Sequence, residues 1–521
     1  MFETVLAGGT ILDGTRAPRR IADVGVNADR IVAIGDLSTA DCGSRLDVSG
    51  LCVAPGFVDV HNHSDGWMLK EPLQSSKIMQ GFTTEVTLLD GISYAPVSEQ
   101  TWREWFFYLR ALDGLRLDEY QGWTSIAEFM DAMDGRCTQN AIPHVPYANV
   151  RAEVCGFGPE PPSTQQMGQI ADLIRQGMDQ GAVGLSSGLD YIVQCHSSAD
   201  ELTEACRVVA EYGGLYATHI RYKLGLFKAL DEALDICRRS GAALHVSHLK
   251  CIVGTVAEDI IDWLENARKE VPLSFDVYPY LPGSTMLNYL LPYEVWDEGP
   301  LAAMTRIQRP EIQAKFAANL KNYKLALDSI RIAWLPGREN EGAQGMLLSE
   351  YVSSTGLPAE KALLNLLIEE RMAVLCVYLE GDDDLISPFL EHDLYMMGSD
   401  GIYAEGGMIH PRQFGSAARL LGRFVRKKQR LTLEDAAYKL SGHAAEKFGL
   451  KDRGVLEEGR FADIVVFDAD RVNDAASWDE PCVPAEGFEH VLVNGRFVVR
   501  DATVVESWPD GMPGRRLYFN R

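Results

Sequence analysis

The segment Pro55-Gly56-Phe57-Val58-Asp59-Val60-His61-Asn62-His63 carries an apolar run that ends in His-x-His. Residues two apart in an extended chain point to the same face, so His61 and His63 can offer both imidazoles to one ion. Imidazole is the commonest protein ligand for zinc and similar metals. The pair alone is a weak sign, because two histidines two apart on a strand are more often structural than metal-binding. It gains weight because Asp90, His219, His248 and Asp400 each close a further strand-like apolar run. Three His or carboxylate ligands with an open position make a catalytic rather than a structural metal site. Such an ion lowers the pKa of bound water to about 7 and polarises a carbonyl, which is what hydrolysis of an unactivated amide needs. Asp400 is the group expected to take the proton from that water and deliver it to the leaving nitrogen.

Bringing these residues together requires a scaffold that gathers strand ends. Apolar strands are expected near 57–61, 84–90, 144–149, 182–187, 215–219, 243–248, 273–279 and 395–400. Helical stretches with a 3.6-residue period fall at about 164–180, 198–213, 224–240, 256–269 and 358–371. Strands alternating with helices imply a parallel sheet with helix crossovers. Eight such strands close into a TIM-type (β/α)8 barrel, whose active site lies at the C-terminal strand ends, where all six residues are expected. The repeat breaks near 280, and residues 285–350, rich in Trp, Tyr, Met and charge, are expected to form a folded insertion or lid. Residues 1–54 and 455–521 share a texture of short alternating strands and Gly- or Asp-containing turns, so both termini are expected to build one small β domain beside a barrel spanning 55–454.

A chain of 521 residues with 46% hydrophobic content is long enough for a large domain with a full core plus a smaller one. A net charge of -25 argues against nucleic acid as a partner, which needs a basic face. The first residues carry no basic leader, and no stretch approaches ~18 uninterrupted apolar residues. A cytoplasmic protein without membrane contact is expected, and oligomeric state is open. The 10 cysteines are scattered without Cys-x-x-Cys, so neither a disulfide framework nor a structural zinc knot is indicated.

Eight motifs in order carry a family resemblance: Pro55 to His63, Gln80-Gly81-Phe82-Thr83-Thr84, Gly184-Leu185-Ser186-Ser187-Gly188-Leu189, and Glu211 through His219. Ser247-His248-Leu249-Lys250, Tyr278 through Thr285, Gly398-Ser399-Asp400-Gly401 and His410-Pro411-Arg412 complete them. Along nearly its full length the chain resembles the amidohydrolase superfamily, and within it the N-acyl-D-amino-acid deacylase (D-aminoacylase) family. The resemblance implies a TIM barrel flanked by a β-sandwich built from both termini, with one or two zinc ions at the barrel mouth. It implies that His219 and His248 hold the principal zinc, and that His61 and His63 form a weaker second site with Asp400. It further implies a small substrate with a free carboxylate, gripped by Lys250, Tyr278, Ser284 and Arg412, with Tyr191 a lesser member of the same pocket.

Two departures matter. The family places Gly-Asn-Cys-Gly after the second strand, with the cysteine as ligand, where this chain has Leu88-Leu89-Asp90-Gly91. A carboxylate can bridge two ions through its two oxygens, so Asp90 is expected to keep the site; the alternative is a non-ligand. The family's acidic Arg-Asp-Glu after the strand-five histidine is Arg221-Tyr222-Lys223 here. That change leaves open a different C–N bond as target, such as a carbamate or urea. A cyclic amidase is disfavoured because its strand-four lysine is absent from Gly184-Leu185-Ser186-Ser187. A non-catalytic scaffold is disfavoured because all four histidines and Asp400 are present.

Overall fold

The computed structural model describes residues 1–252, 254–322, 326–379 and 381–520. Five strands open the chain: β1 (Phe2–Ile11), β2 (Arg20–Asn27), β3 (Arg30–Gly35), β4 (Cys42–Asp47) and β5 (Cys52–Pro55). Gly56 then carries the chain into the barrel. A Cβ there would lie 2.1 Å from Thr83 Oγ1, so the close passage requires glycine.

The barrel strands are β6 (Phe57–Asp59), β7 (Phe82–Thr87), β8 (Asn140–Pro143) continued by β9 (Val145–Pro146), β10 (Gly184–Gly188), β11 (Leu215–His219), β12 (Ala243–Val246) and β13 (Leu273–Val277). The insertion supplies β14 (Gly283–Met286), β15 (Ile330–Trp334) and β16 (Leu375–Tyr378), and β17 (Tyr395–Met397) returns to the barrel. Parallel pairing runs β6-β7-β8 and β9-β10-β11-β12-β13-β17. The ring closes where Val60 N–H donates to Met397 O at 3.1 Å and Asp400 N–H to His61 O at 2.7 Å. Across the other seam Val183 N–H donates to Pro143 O at 2.9 Å.

The third strand lies earlier than the expected 144–149, and Tyr147–Cys155 is helical instead. Pro143 and Pro146 have no N–H to give a ladder, so the strand is short and broken, and a helix starts directly after the second proline. The other barrel helices fall close to their expected positions. In Thr164–Asp179, Ser163 and Gln166 cap the start reciprocally, and the buried stripe is Ile170, Ile174 and Met178. Each such side chain contributes roughly 1.5–3 kcal/mol when fully buried. Inside the barrel, Val58, Val86, Ile142, Val183, Leu215, Ala217 and Met396 pack with Phe448.

The insertion is a folded unit that extends past the expected 350. Its three strands pair antiparallel in the order β14-β16-β15, and the helix expected at 358–371 appears within it as Ala359–Glu369. After the barrel come β18 (Ile464–Phe467), β19 (Phe488–Val493), β20 (Arg496–Arg500) and β21 (Thr503–Val504). With the five opening strands they make one nine-stranded sheet. It folds over a shared filling that includes Leu6, Val24, Ile31, Val53, Ile464 and Leu492, and Ile31 N–H donates to Arg460 O at 2.9 Å to join its two halves. The last residues leave this sheet. Leu517 N–H donates to Ala141 O and Phe519 N–H to Gly181 O, so the tail runs along the barrel instead. All ten cysteines are free, and among the described residues no helix is long and apolar enough to cross a membrane.

A buried ion cluster fixes the seam that carries His61 and Asp400. Asp59 Oδ1 accepts from Ser399 N–H at 2.8 Å and from His61 N–H at 3.3 Å. The Lys77 ammonium bonds the same carboxylate, donates to Ser399 Oγ at 2.8 Å and lies 3.4 Å from Glu85 Oε2, all in full burial. Lys77→Met would leave two carboxylates buried without their cation. The expected loss in urea unfolding is about 3–5 kcal/mol.

Candidate metal centre

The C-terminal strand ends bring six ligand-type side chains together. His61 Nε2 lies 3.6 Å from Asp90 Oδ1 and 3.9 Å from Asp400 Oδ1. His63 Nε2 lies 3.3 Å from Asp400 Oδ1 and 3.8 Å from Asp90 Oδ2. His219 Nδ1 is 3.0 Å from His248 Nε2 and 3.9 Å from Asp90 Oδ2. Two trios each place one donor atom per residue within 4.8 Å of the others: His61, His63 and Asp90, and Asp90, His219 and His248. Ligand atoms on a tetrahedral zinc sit ~3.3 Å apart, so each trio approaches the spacing that one ion requires. Asp90, left open between ligand and bystander by its sequence context, belongs to both.

Backbone strain marks the same positions. Asp90 has φ 53°, His248 φ 38° and Asp400 φ 47°, left-handed conformations that side chains other than glycine rarely adopt. Turning the chain this way just past β12 and β17 aims His248 and Asp400 inward.

The electrostatics call for a cation. Burial opposes protonation of His61, yet Asp276 and Asp90 lift it to about 9; burial opposes it at His63, yet Asp113 and Asp400 lift it to about 10. Carboxylates that hold protons on two buried imidazoles can hold a divalent ion in their place. His248 is pushed down to about 3 by burial and by His219, so it is neutral with a lone pair to donate. Burial would raise the Asp400 carboxyl, but Arg412 first, then His63, His248 and His61, hold it well below the usual range and keep it ionised. His61 Nε2 and Asp90 Oδ1 are buried without any hydrogen-bond partner, as atoms reserved for an ion would be.

His63, Asp90, His219, His248 and Asp400 open onto a cavity of about 210 Å³. Tyr191, Lys250, Tyr278 and Ser284 line it, and the remaining wall is largely apolar, with Leu112, Ile252, Tyr289, Tyr378 and Ile402. Lys250 Nζ donates to Tyr278 OH at 2.5 Å and to Leu281 O at 2.8 Å, and Ser284 Oγ donates to Cys376 O at 2.8 Å. Arg412 is placed differently from the rest of this group. It is fully buried, contributes no wall to the cavity, stacks its guanidinium 4.3 Å from the Tyr278 ring centroid, and pairs Nη1 with Asp400 Oδ2 at 2.9 Å. Of the departing triplet only Tyr222 reaches the cavity. Arg221 donates to the Leu189, Cys195 and Ser197 carbonyls, and Lys223 lies against the rings of Tyr289 and Tyr293.

Sequence reasoning missed the carboxylates behind the histidines. Asp276 Oδ2 lies 3.4 Å from His61 Nδ1 and 2.9 Å from His245 Nε2, and its Oδ1 accepts the His248 N–H at 2.9 Å. Asp113 Oδ1 lies 3.4 Å from His63 Nδ1, and Asp190 Oδ2 lies 3.7 Å from His219 Nε2. Each faces the ring nitrogen turned away from the centre, the arrangement that orients metal-binding histidines. Asp276 had a signal, an acid inside the apolar run Phe275-Asp276-Val277; Asp113 and Asp190 sit in loops and had none.

Residues 391–499 match the Amidohydrolase family. N-acyl-D-glutamate deacylase of Alcaligenes xylosoxydans xylosoxydans is 34% identical over 523 residues, 99% of this chain and 96% of the relative. D-aminoacylase of the same organism is 33% identical over 95% of this chain and 94% of its own length. The crystal structure of N-acyl-D-glutamate deacylase from Bordetella bronchiseptica, complexed with zinc and a phosphonate mimic of the tetrahedral intermediate, superposes with TM-score 0.84 at 32% identity and covers 99% of both chains. A D-aminoacylase structure described by its binuclear metal centre superposes with TM-score 0.81 at 30% identity, covering 99% of this chain and 100% of that one. With this identity along its whole length and the shared fold, the chain belongs to the amidohydrolase superfamily, in its N-acyl-D-amino-acid deacylase (D-aminoacylase) family.

Proposed function

We propose that this protein hydrolyses the amide of an N-acyl-D-amino acid to a carboxylate and a free amino acid, using one or two zinc ions held by His61, His63, Asp90, His219, His248 and Asp400. The observation that carries the reading is the pair of donor trios sharing Asp90 beneath a cavity with a cation in its wall. When bound there, zinc supplies Lewis acidity that polarises an amide carbonyl and acidifies water. Asp400, ionised beside Arg412, takes the proton of the attacking water and passes it to the leaving nitrogen. Lys250 and the Tyr278 hydroxyl bind the substrate carboxylate at the cavity wall, with Ser284 and Tyr191 completing its contour. Arg412 pairs with Asp400 and stacks on Tyr278 beside this grip. Tyr289 and Tyr378 of the insertion, with Leu112, Ile252 and Ile402, line the cavity and limit bulk water. Under the same proposal residues 55–454 are the catalytic barrel with its insertion, residues 1–54 and 455–504 the β-rich support, and the location is cytoplasmic.

Turnover of N-acetyl-D- and N-acetyl-L-amino acids by zinc-loaded protein tests the reading. Release of free D-amino acid is expected, and an enzyme active on carbamates or ureas but on no N-acyl amino acid would refute it. Lys250→Ala should raise KM about ten- to a hundred-fold with kcat little changed, because a charge-assisted hydrogen bond contributes about 1.5–3 kcal/mol to holding the carboxylate.

A further inference from the structure

Asp190 follows β10 and is 3% exposed. Its Oδ2 is the atom that His219 Nε2 faces, at 3.7 Å, and that ring nitrogen is buried with no hydrogen-bond partner. The other donors to this carboxylate come from elsewhere. Tyr289 OH donates to Oδ2 at 2.9 Å, Tyr293 OH to Oδ1 at 3.0 Å and Lys223 N–H to Oδ2 at 3.3 Å. Both tyrosines belong to the insertion, in the short turns Leu287–Leu290 and Tyr293–Trp296. The Lys223 ammonium lies 4.3 Å and 4.4 Å from their ring centroids and donates to Tyr289 O at 3.1 Å.

We propose that Asp190 is a positioning residue that sets the tautomer of His219 for metal binding and makes that setting depend on the seating of the insertion. A neutral imidazole carries one N–H. If Nε2–H points at a fixed carboxylate, the lone pair is left on Nδ1, the nitrogen that faces Asp90 and His248. An approach of ~0.5 Å would make a normal hydrogen bond of this contact. Two tyrosine hydroxyls hold the carboxylate, one on each oxygen, and Lys223 lies over both rings. An insertion lifted from the barrel would remove both hydroxyls and let the carboxylate turn. Lys223, which replaces an acid of the family pattern, thus acts on the insertion rather than on the substrate. The inference rests on the reading of His219 as a metal ligand.

The test uses the full chain as wild type, Asp190→Asn, and a variant combining Tyr289→Phe with Tyr293→Phe. Zinc affinity is read by competition with a chromophoric chelator, and ligand geometry from the visible spectrum of the cobalt-loaded protein. Asp190→Asn is expected to weaken zinc about 10- to 100-fold and to shift the cobalt bands. The tyrosine variant should move both in the same direction by a smaller factor. Asparagine keeps the shape, its oxygen accepts from one tyrosine and its amide can donate to the hydroxyl oxygen of the other, so a merely structural role would leave both readings at wild-type values, a result that would overturn the proposal. Should Asp190→Asn fail to fold, the tyrosine variant decides by the same criterion. Wild type that binds no zinc would instead overturn the metal reading itself.

Discussion

Asp400→Asn will lower kcat by about two to four orders of magnitude while zinc stays bound. The carboxylate stands 3.3 Å from His63 Nε2 and 2.9 Å from Arg412 Nη1, at the boundary between the donor trios and the cavity. Asparagine preserves its outline but cannot accept and return a proton. The Asp90, His219 and His248 trio is untouched and asparagine keeps one side-chain oxygen beside His63, so the ion on that trio should stay bound, and KM should change little because Lys250 and Tyr278 remain. Arg412→Ala should lower kcat more than it raises KM, since the guanidinium it removes is the one paired with this carboxylate. Steady-state kinetics beside metal analysis separates the effects. A kcat within threefold of wild type in Asp400→Asn would remove the proton-transfer role.

Asp90→Ala should empty the site. Asp90 is the one residue common to both donor trios, so its loss takes a ligand from each ion at once. Zinc content after dialysis against a mild chelator is expected to fall well below one per chain, with kcat falling in proportion. Asp90→Cys is the informative companion, because it installs the thiolate that the family pattern carries here. It should restore one tight zinc, since thiolate is a good zinc ligand. Full zinc loading in Asp90→Ala would remove the residue from the ligand set.

The six rim residues were legible because each closes an apolar run, and a barrel converts strand ends into one place. His-x-His, Ser247-His248 and Ser399-Asp400 are local patterns whose meaning survives without coordinates. What failed was set by contacts distant along the chain. The third strand moved because Pro143 and Pro146 break the ladder that its apolar character suggested. The tail after Val504 reads like more sheet, yet Leu517 and Phe519 find their partners on the barrel, at Ala141 and Gly181. The pairing of Arg412 with Asp400 and its stacking on Tyr278 likewise depend on contacts distant along the chain. Asp113, Asp190 and Asp276 come from three separate segments and matter only through the histidine each one faces.

The central claim is that these side chains share metal. Anomalous diffraction at the zinc edge from crystals grown with zinc tests it most directly. The expected result is a peak bonded by Asp90, His219 and His248, with any second ion on His61, His63, Asp90 and Asp400. Zinc located anywhere else in the molecule, or His219 and His248 found too far apart to bond one ion, would contradict it.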